Sequence, residues 1–151
     1  DPVITLLQRS GDLKIISDTR IVSEAEKVFG GPMPAACLYA PEPFVRANPG
    51  TVQALTNAIV RADRWIHSAG PGDVIKVVPE SYLLGDRAIY IDGFLAAQKA
   101  LSPDGMFPTA GAQTAYRALA SVDPKIAAAK LDLDAVYTNE FVKNAHARKR
   151  G

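Results

Sequence analysis

Residues 30–41 read GGPMPAACLYAP, and this stretch separates two parts of the chain that differ in character. The short apolar run from Ala35 to Ala40 lies between Pro34 and Pro41, which predicts a buried β-strand. On its N-terminal side, strand-like and helical patterns alternate. On its C-terminal side, from about Glu42 onward, the patterns are helical throughout.

The N-terminal part predicts a helix, a strand and a second helix. Asp1-Pro2 is typical of an N-cap followed by proline in the first helical turn, and Gly11 ends this helix. Leu13 to Ile16 is a predicted strand that Ser17-Asp18 closes. Ser23 to Phe29 predicts one or two helical turns, which Gly30 stops.

The C-terminal part predicts a series of helices. The longest follows Asn48, a predicted cap, and ends before Gly70; its apolar residues at helical spacing are Val52, Leu55, Ile59, Ala62 and Ile66. The other predicted helices are Asp73 to Val78, Asp86 to Leu101, Thr109 to Ser121 and Asp134 to about Arg148.

Two predicted strands in the whole chain are too few for a sheet. A two-stranded ribbon is not stable alone in water, so these strands need neighbours that the sequence does not supply. We therefore expect the chain to be a piece of something larger, with an apolar surface left open where the missing sheet would pack.

Composition and charge exclude several classes of function. The chain has 151 residues, 48% of them apolar, and its 17 basic and 16 acidic residues leave a net charge of +1. This balance gives no electrostatic case for nucleic acid or an anionic membrane. No apolar run has the roughly 20 residues that a membrane helix needs. The single cysteine, Cys37, is expected to be a small buried apolar residue.

Catalytic motifs are absent from the sequence. No nucleophile elbow, dinucleotide fingerprint or phosphate-binding loop is present, and no Cys/His cluster has zinc-ligand spacing. Asp63 and His67 stand four residues apart on one predicted helix, but such pairs are common on helix surfaces and no nucleophile accompanies this one.

Two short polar segments are the candidate ligand site. Asp18-Thr19-Arg20 directly follows a predicted strand, and Asp1 opens a predicted helix. Ligands of open α/β sheets bind beyond the carboxyl ends of strands, so both segments are expected to face a cleft. The alternatives are a plain helix cap for Asp1 and a turn with a surface ion pair for Asp18-Thr19-Arg20.

Three segments together resemble one known family. They are residues 30–39 (GGPMPAACLY), residues 42–49 (EPFVRANP) with the helix after them, and residues 132–142 (DLDAVYTNEFV). Their order and spacing resemble the solute-binding proteins of ABC importers in the nitrate/sulfonate/taurine group, which are related to thiamine-precursor-binding proteins. The resemblance covers nearly all of the chain.

The resemblance implies an α/β fold, the C-terminal half of a type II periplasmic-binding-protein fold with two α/β lobes. Residues 1–34 would be the remainder of the second lobe and residues 35–41 a hinge-crossing strand. Residues 42–151 would be a helical part that packs on the first lobe. Asp1-Pro2 matches an acidic-Pro position at a cleft-facing helix start of the family.

The function implied by the resemblance is non-catalytic capture of a small solute in the periplasm for import. The positions of Asp1, Asp18, Thr19 and Arg20 beside predicted strand and helix ends predict that they bind the ligand, with no cofactor and no metal. The partners would be the ABC permease and ATPase subunits and the missing N-terminal half of the same protein. Two alternatives stay open: a thiamine-pyrimidine-related binding protein or enzyme of the same fold, and a helical interaction module.

Overall fold

The regular structure of this chain is helical wherever it is described. A computed structural model describes residues 2–11, 13–83 and 86–147. Its α-helices are α1 (Pro2–Ser10), α2 (Val22–Phe29), α3 (Glu42–Ala47), α4 (Pro49–Ser68), α5 (Pro71–Val77), α6 (Arg87–Gln98), α7 (Gly111–Ala120), α8 (Pro124–Ala128) and α9 (Glu140–Ala147), with a 3₁₀ turn at Glu80–Tyr82.

The expected α/β fold is wrong, because no strand forms among the described residues. Leu13 to Ile16 and Ala35 to Ala40 are irregular instead. A strand exists only when a neighbour pairs with it, and within the described ranges the backbone of residues 32–40 makes no hydrogen bond. Residues 35–41 are therefore not a strand here, whereas the division into residues 1–34, 35–41 and 42–151 stays a prediction.

Most predicted helices are confirmed, and the departures have local causes. The helix expected over Asp134 to Arg148 is restricted to α9, because side chains hold turns before it. The Asp132 carboxylate accepts the Asp134 N–H at 3.1 Å, and the Thr138 hydroxyl accepts the Glu140 N–H at 3.2 Å. Asn48 occupies the predicted N-cap position of α4, but its side chain donates backwards to the Phe44 carbonyl at 3.1 Å and does not cap the helix.

Long-range packing joins helices that are distant in sequence. Helix α1 lies against α6, where an Arg9–Asp92 ion pair ties the two together. Helix α4 lies against α9 and buries Val52, Thr56 and Val60. Helix α7 packs against α8 and α2. A small apolar core between α5 and α6 consists of Ala69, Val74 and Ile91, with Ile75, Val78, Tyr90 and Phe94 packed against it.

The segment after α2 contacts α7 at its start, and its later residues are exposed to solvent. Gly30 ends α2 with a φ of 71°, and its carbonyl accepts Arg117 Nη2 at 2.8 Å. A Cβ added to Gly111 would lie 2.9 Å from Pro34 Cδ, so the glycine permits this close contact. Every residue from Ala35 to Ala40 is exposed. Cys37, expected to be buried, is therefore exposed.

The chain exposes more surface than a compact monomer of its size. Its accessible area is 10485 Å², whereas size scaling gives about 7,400 Å² for 16.1 kDa. Large apolar side chains contribute to the excess, among them Leu38, Tyr39, Leu55 and Ile59. Large apolar side chains are thus exposed, whereas the expectation that this surface packs on a missing sheet stays a prediction.

Candidate solute site

The polar segment between α1 and α2 is a turn that one ion pair closes. The Asp18 Oδ1 atom accepts the Arg20 backbone N–H at 3.1 Å and Arg20 Nε at 2.8 Å, and Asp18 Oδ2 accepts Arg20 Nη2 at 2.6 Å. The Asp18 carbonyl accepts the Ile21 N–H at 3.0 Å. The structure thus shows a turn with an ion pair, which was the alternative interpretation of Asp18-Thr19-Arg20 from the sequence.

The ion pair is largely shielded from water. The side chains of Arg20 and Asp18 are 14% and 20% exposed. Hydrogen bonds from the Arg20 guanidinium hold the pKa of the Asp18 carboxyl below its ordinary value. Arg20 Nη2 also donates to Gln8 Oε1 at 2.9 Å, so Arg20 links the turn to α1. These contacts fix the guanidinium where α2 begins.

Helix α2 begins without a side-chain cap. Its N-cap position is occupied by Ile21, whose side chain cannot accept a hydrogen bond. Within the described ranges, the N–H groups of Val22 and Ser23 donate to no protein acceptor. The first N–H groups of a helix carry partial positive charge and attract anions. The start of α2 is therefore a polar surface available to an acceptor outside the helix.

A cleft opens where α2 begins and α6 ends. Its volume is about 430 Å³, and it is lined by Arg20, Ile21, Val22, Ser23, Glu26, Ala96 and Lys99. Arg20 and Lys99 contribute positive charges to the lining and Glu26 a negative one, and the charge of Arg20 is balanced by its ion pair with Asp18. Small-molecule sites have volumes of roughly 300–1,000 Å³ and combine apolar walls with a few polar groups. The volume of the cleft falls within this range, and its lining residues other than Arg20 are exposed.

Among the predicted site residues, Arg20 lines the cleft. Asp18 does not line the cleft but forms the ion pair with Arg20. Thr19 is exposed in the same turn and does not line the cleft. Asp1 lies outside the described residues. Sequence reasoning missed Ser23 and Lys99. Ser23 carried a signal, since a serine in the first turn of a predicted helix presents a hydroxyl beside free N–H groups. Lys99 carried none, because only the fold brings α6 to this place.

The two histidines clamp one turn and do not form a catalytic pair. His67 Nε2 lies 3.1 Å from the Ser102 carbonyl oxygen, and His146 Nε2 lies 2.8 Å from the Asp104 carbonyl oxygen. Carbonyl oxygens only accept, so Nε2 of each ring carries the proton. His146 Nδ1 faces the Arg64 guanidinium, which only donates hydrogen bonds. Both rings act structurally.

The acidic partner considered for His67 is half-buried. Burial raises the pKa of the Asp63 carboxyl above its ordinary value, and the positive charge of His67 opposes this effect. Neither side chain lines the cleft at α2.

Among the described residues, no group of three or more His, Cys, Asp or Glu side chains is placed to hold a metal ion. In the same part of the chain, no helix is long and apolar enough to cross a membrane.

A solved structure is similar to the whole chain. It is a protein from Bordetella bronchiseptica RB50, with 51% sequence identity and a TM-score of 0.94 over 100% of this chain and 48% of that one. This chain therefore spans about half the length of that protein. No protein-family model and no curated protein matches the chain. The similarity concerns the fold and assigns no activity.

Proposed function

We propose that this chain is part of a non-catalytic solute-binding protein that captures a small solute with an anionic group, such as a sulfonate, nitrate or the zwitterion taurine, for an ABC importer. The cleft between α2 and α6 is the binding site. The proposal depends on the cleft and its charges and on the sequence resemblance, and not on the α/β fold, which the helical structure contradicts.

The observation that carries the proposal is the meeting of Lys99 and the ion-paired Arg20 with an uncapped helix start. Arg20 and Lys99 line the cleft together with Val22 and Ser23, the first residues of α2. A sulfonate or nitrate oxygen placed there accepts hydrogen bonds from the Val22 and Ser23 N–H groups. It also lies close to the Lys99 ammonium. Charge-assisted hydrogen bonds of this kind are about twice as strong as neutral ones.

The lining favours binding over chemistry. Its charged groups are Arg20, Glu26 and Lys99, and its one hydroxyl is that of Ser23. A serine nucleophile needs a base within hydrogen-bond reach and a group that orients this base. The histidines of the described residues hold the turn at Ser102 and Asp104 instead. These features support a role without catalysis.

The partners follow from this role. A solute-binding protein of an importer delivers its ligand to a permease, which an ATPase subunit drives. We therefore propose a periplasmic location and docking on the permease. The remainder of the solute-binding protein would be a further partner, consistent with the length of the Bordetella protein, of which this chain matches 48%.

Calorimetry on the complete protein tests the site. Taurine, ethanesulfonate and nitrate are titrated into the wild type, Lys99→Met and the control Lys130→Met, whose lysine is exposed outside the cleft. We expect saturable binding of at least one anion, weakened roughly 10- to 100-fold in Lys99→Met because a charged hydrogen bond contributes about 1.5–3 kcal/mol. Lys130→Met should bind as the wild type does.

Two results would reject the proposal. One is the absence of a binding heat with all three anions. The other is unchanged affinity in Lys99→Met, which would mean that the anion binds elsewhere. Conversion of a bound solute into a product would instead support the alternative of an enzyme.

A helical interaction module is the second candidate function. The observation in its favour is the open apolar surface of a chain whose described regular structure is helical. Such a module would bind another polypeptide and need no solute. It would give no heat with the anions, and Lys99→Met would leave its partner binding unchanged.

A further inference from the structure

Helix α4 carries two apolar faces, and α9 covers one of them. Val52, Thr56 and Val60 form the buried face, and Gln53 Nε2 donates to the Phe141 carbonyl of α9 at 2.8 Å along its edge. A helix turns roughly 100° per residue, so Leu55 and Ile59 point roughly 80° away from the centre of this buried face. They belong to a second stripe on α4.

The second stripe lies open in this structure. Leu55 is 47% exposed and Ile59 is 41% exposed, and Ala62 on the same stripe is exposed as well. These are residues whose helical spacing is typical of a core-facing surface. An apolar stripe on a long helix is normally covered, because its burial is favourable by about 25 cal/mol per Å².

The surplus of exposed area is larger than one side of a typical obligate interface. The chain exposes 10485 Å², which is roughly 3,000 Å² more than a compact monomer of its mass. Obligate interfaces bury about 2,000–5,000 Å² in total, so each side contributes about half of that area. A small peptide or a transient partner would leave much of this surplus uncovered.

We propose that the stripe of Leu55, Ile59 and Ala62 is the docking surface for a further part of the same polypeptide. This part corresponds to the portion of the Bordetella protein that the chain does not match. All of this chain matches that protein with a TM-score of 0.94, and the match covers 48% of that protein. The unmatched part of that protein is therefore about as long as this chain. A segment of that length is large enough to supply the missing cover, and it is present at a fixed ratio of one to one.

Thiol labelling of the protein encoded by the complete gene tests this assignment. Leu55→Cys and Ile59→Cys are made separately in a Cys37→Ser background, and the modification of each introduced thiol by a maleimide is followed by peptide mass spectrometry. The matched control is Arg61→Cys on the same helix, because Arg61 is exposed and points roughly 140° away from the stripe. Circular dichroism confirms that each variant is folded.

We expect the thiols at positions 55 and 59 to react at least about tenfold more slowly than the thiol at position 61, since a covered site reacts only when the interface opens. In the isolated 151-residue chain, as in urea, all three thiols should react at similar rates. This pattern does not depend on any solute, so it distinguishes the docking surface from the anion site.

Each other outcome overturns the proposal. Equal rates at all three positions in the complete protein would show that the stripe is free. Protection that disappears on dilution, together with sedimentation as a dimer, would identify a second copy as the occupant. A complete gene product of only 151 residues that sediments as a monomer would remove the proposed occupant altogether.

Discussion

The side chain of Asn139 holds the loop before α7 to the start of α9, and its removal is the sharpest test of this packing. Asn139 Oδ1 accepts the Phe107 N–H at 2.8 Å, and Asn139 Nδ2 donates to the Phe107 carbonyl at 3.0 Å. The Phe107 ring also stacks on Tyr137, with 4.7 Å between centroids. One amide thus satisfies both backbone groups of one residue.

Replacing Asn139 by Ala removes both hydrogen bonds and leaves a half-buried N–H and carbonyl unpaired. Each net hydrogen bond contributes about 0.5–1.5 kcal/mol, so the expected loss in the free energy of unfolding is about 1–3 kcal/mol. For a chain of this length, each kcal/mol corresponds to about 2–4 °C in Tm. The backbone cap at the start of α9, in which Lys143 N–H donates to the Asn139 carbonyl, remains intact.

Urea unfolding followed by circular dichroism measures the loss, with Asn144→Ala as the control on an exposed position of α9. The control should be neutral or slightly stabilising, because alanine is the better helix former. Asn139→Asp should not rescue stability, since its second oxygen would face the Phe107 carbonyl. A midpoint for Asn139→Ala equal to that of the wild type would refute the reasoning, as would full stability of Asn139→Asp.

Two further predictions concern ionisable groups. The folded-state pKa of Asp18 is lowered by Arg20, so its contribution to stability is complete above the unfolded value near 3.8 and is lost as the pH falls through the folded value. Acid unfolding curves should therefore show a steeper loss of stability below pH 3.8 in the wild type than in Asp18→Asn. His146→Leu removes the hydrogen bond to the Asp104 carbonyl and the acceptor facing Arg64, so urea unfolding should show a loss of about 1–3 kcal/mol. Equal stability of wild type and variant would mean that the histidine does not clamp this turn.

The helices could be predicted from the sequence because their signals are local. The 3.6-residue period of α4 and the Asp86 cap of α6, which accepts the Ala88 and Ile89 N–H groups at 2.9 and 3.0 Å, depend only on neighbouring residues. The two strands failed because strand formation depends on a partner. Ala35 to Ala40 has the composition of a buried strand, yet within the described residues nothing pairs with it.

The candidate site was predictable only in part, for the same reason. Asp18 and Arg20 stand two residues apart, so their ion pair is a local feature that a turn-forming sequence indicates. Lys99 reaches the cleft only because the end of α6 lies near the start of α2 in the fold, and no pattern near Lys99 indicates this proximity. Of the predicted residues 18–20, Arg20 lines the cleft, whereas Asp18 and Thr19 do not, and their role in ligand binding stays a prediction.

The open stripe of α4 and the unpaired segment at Ala35 to Ala40 have one physical explanation. Both are sequences patterned for burial, one at the helical period and one as a continuous apolar run, and both are exposed in this structure. Covering them would stabilise the protein, since an exposed apolar surface of this size favours association. The docking proposed for the stripe would explain both exposed sequences. Protection of residues 35–40 together with Leu55 and Ile59 in amide exchange on the complete protein would join them in one interface, whereas protection of only one of the two would separate them.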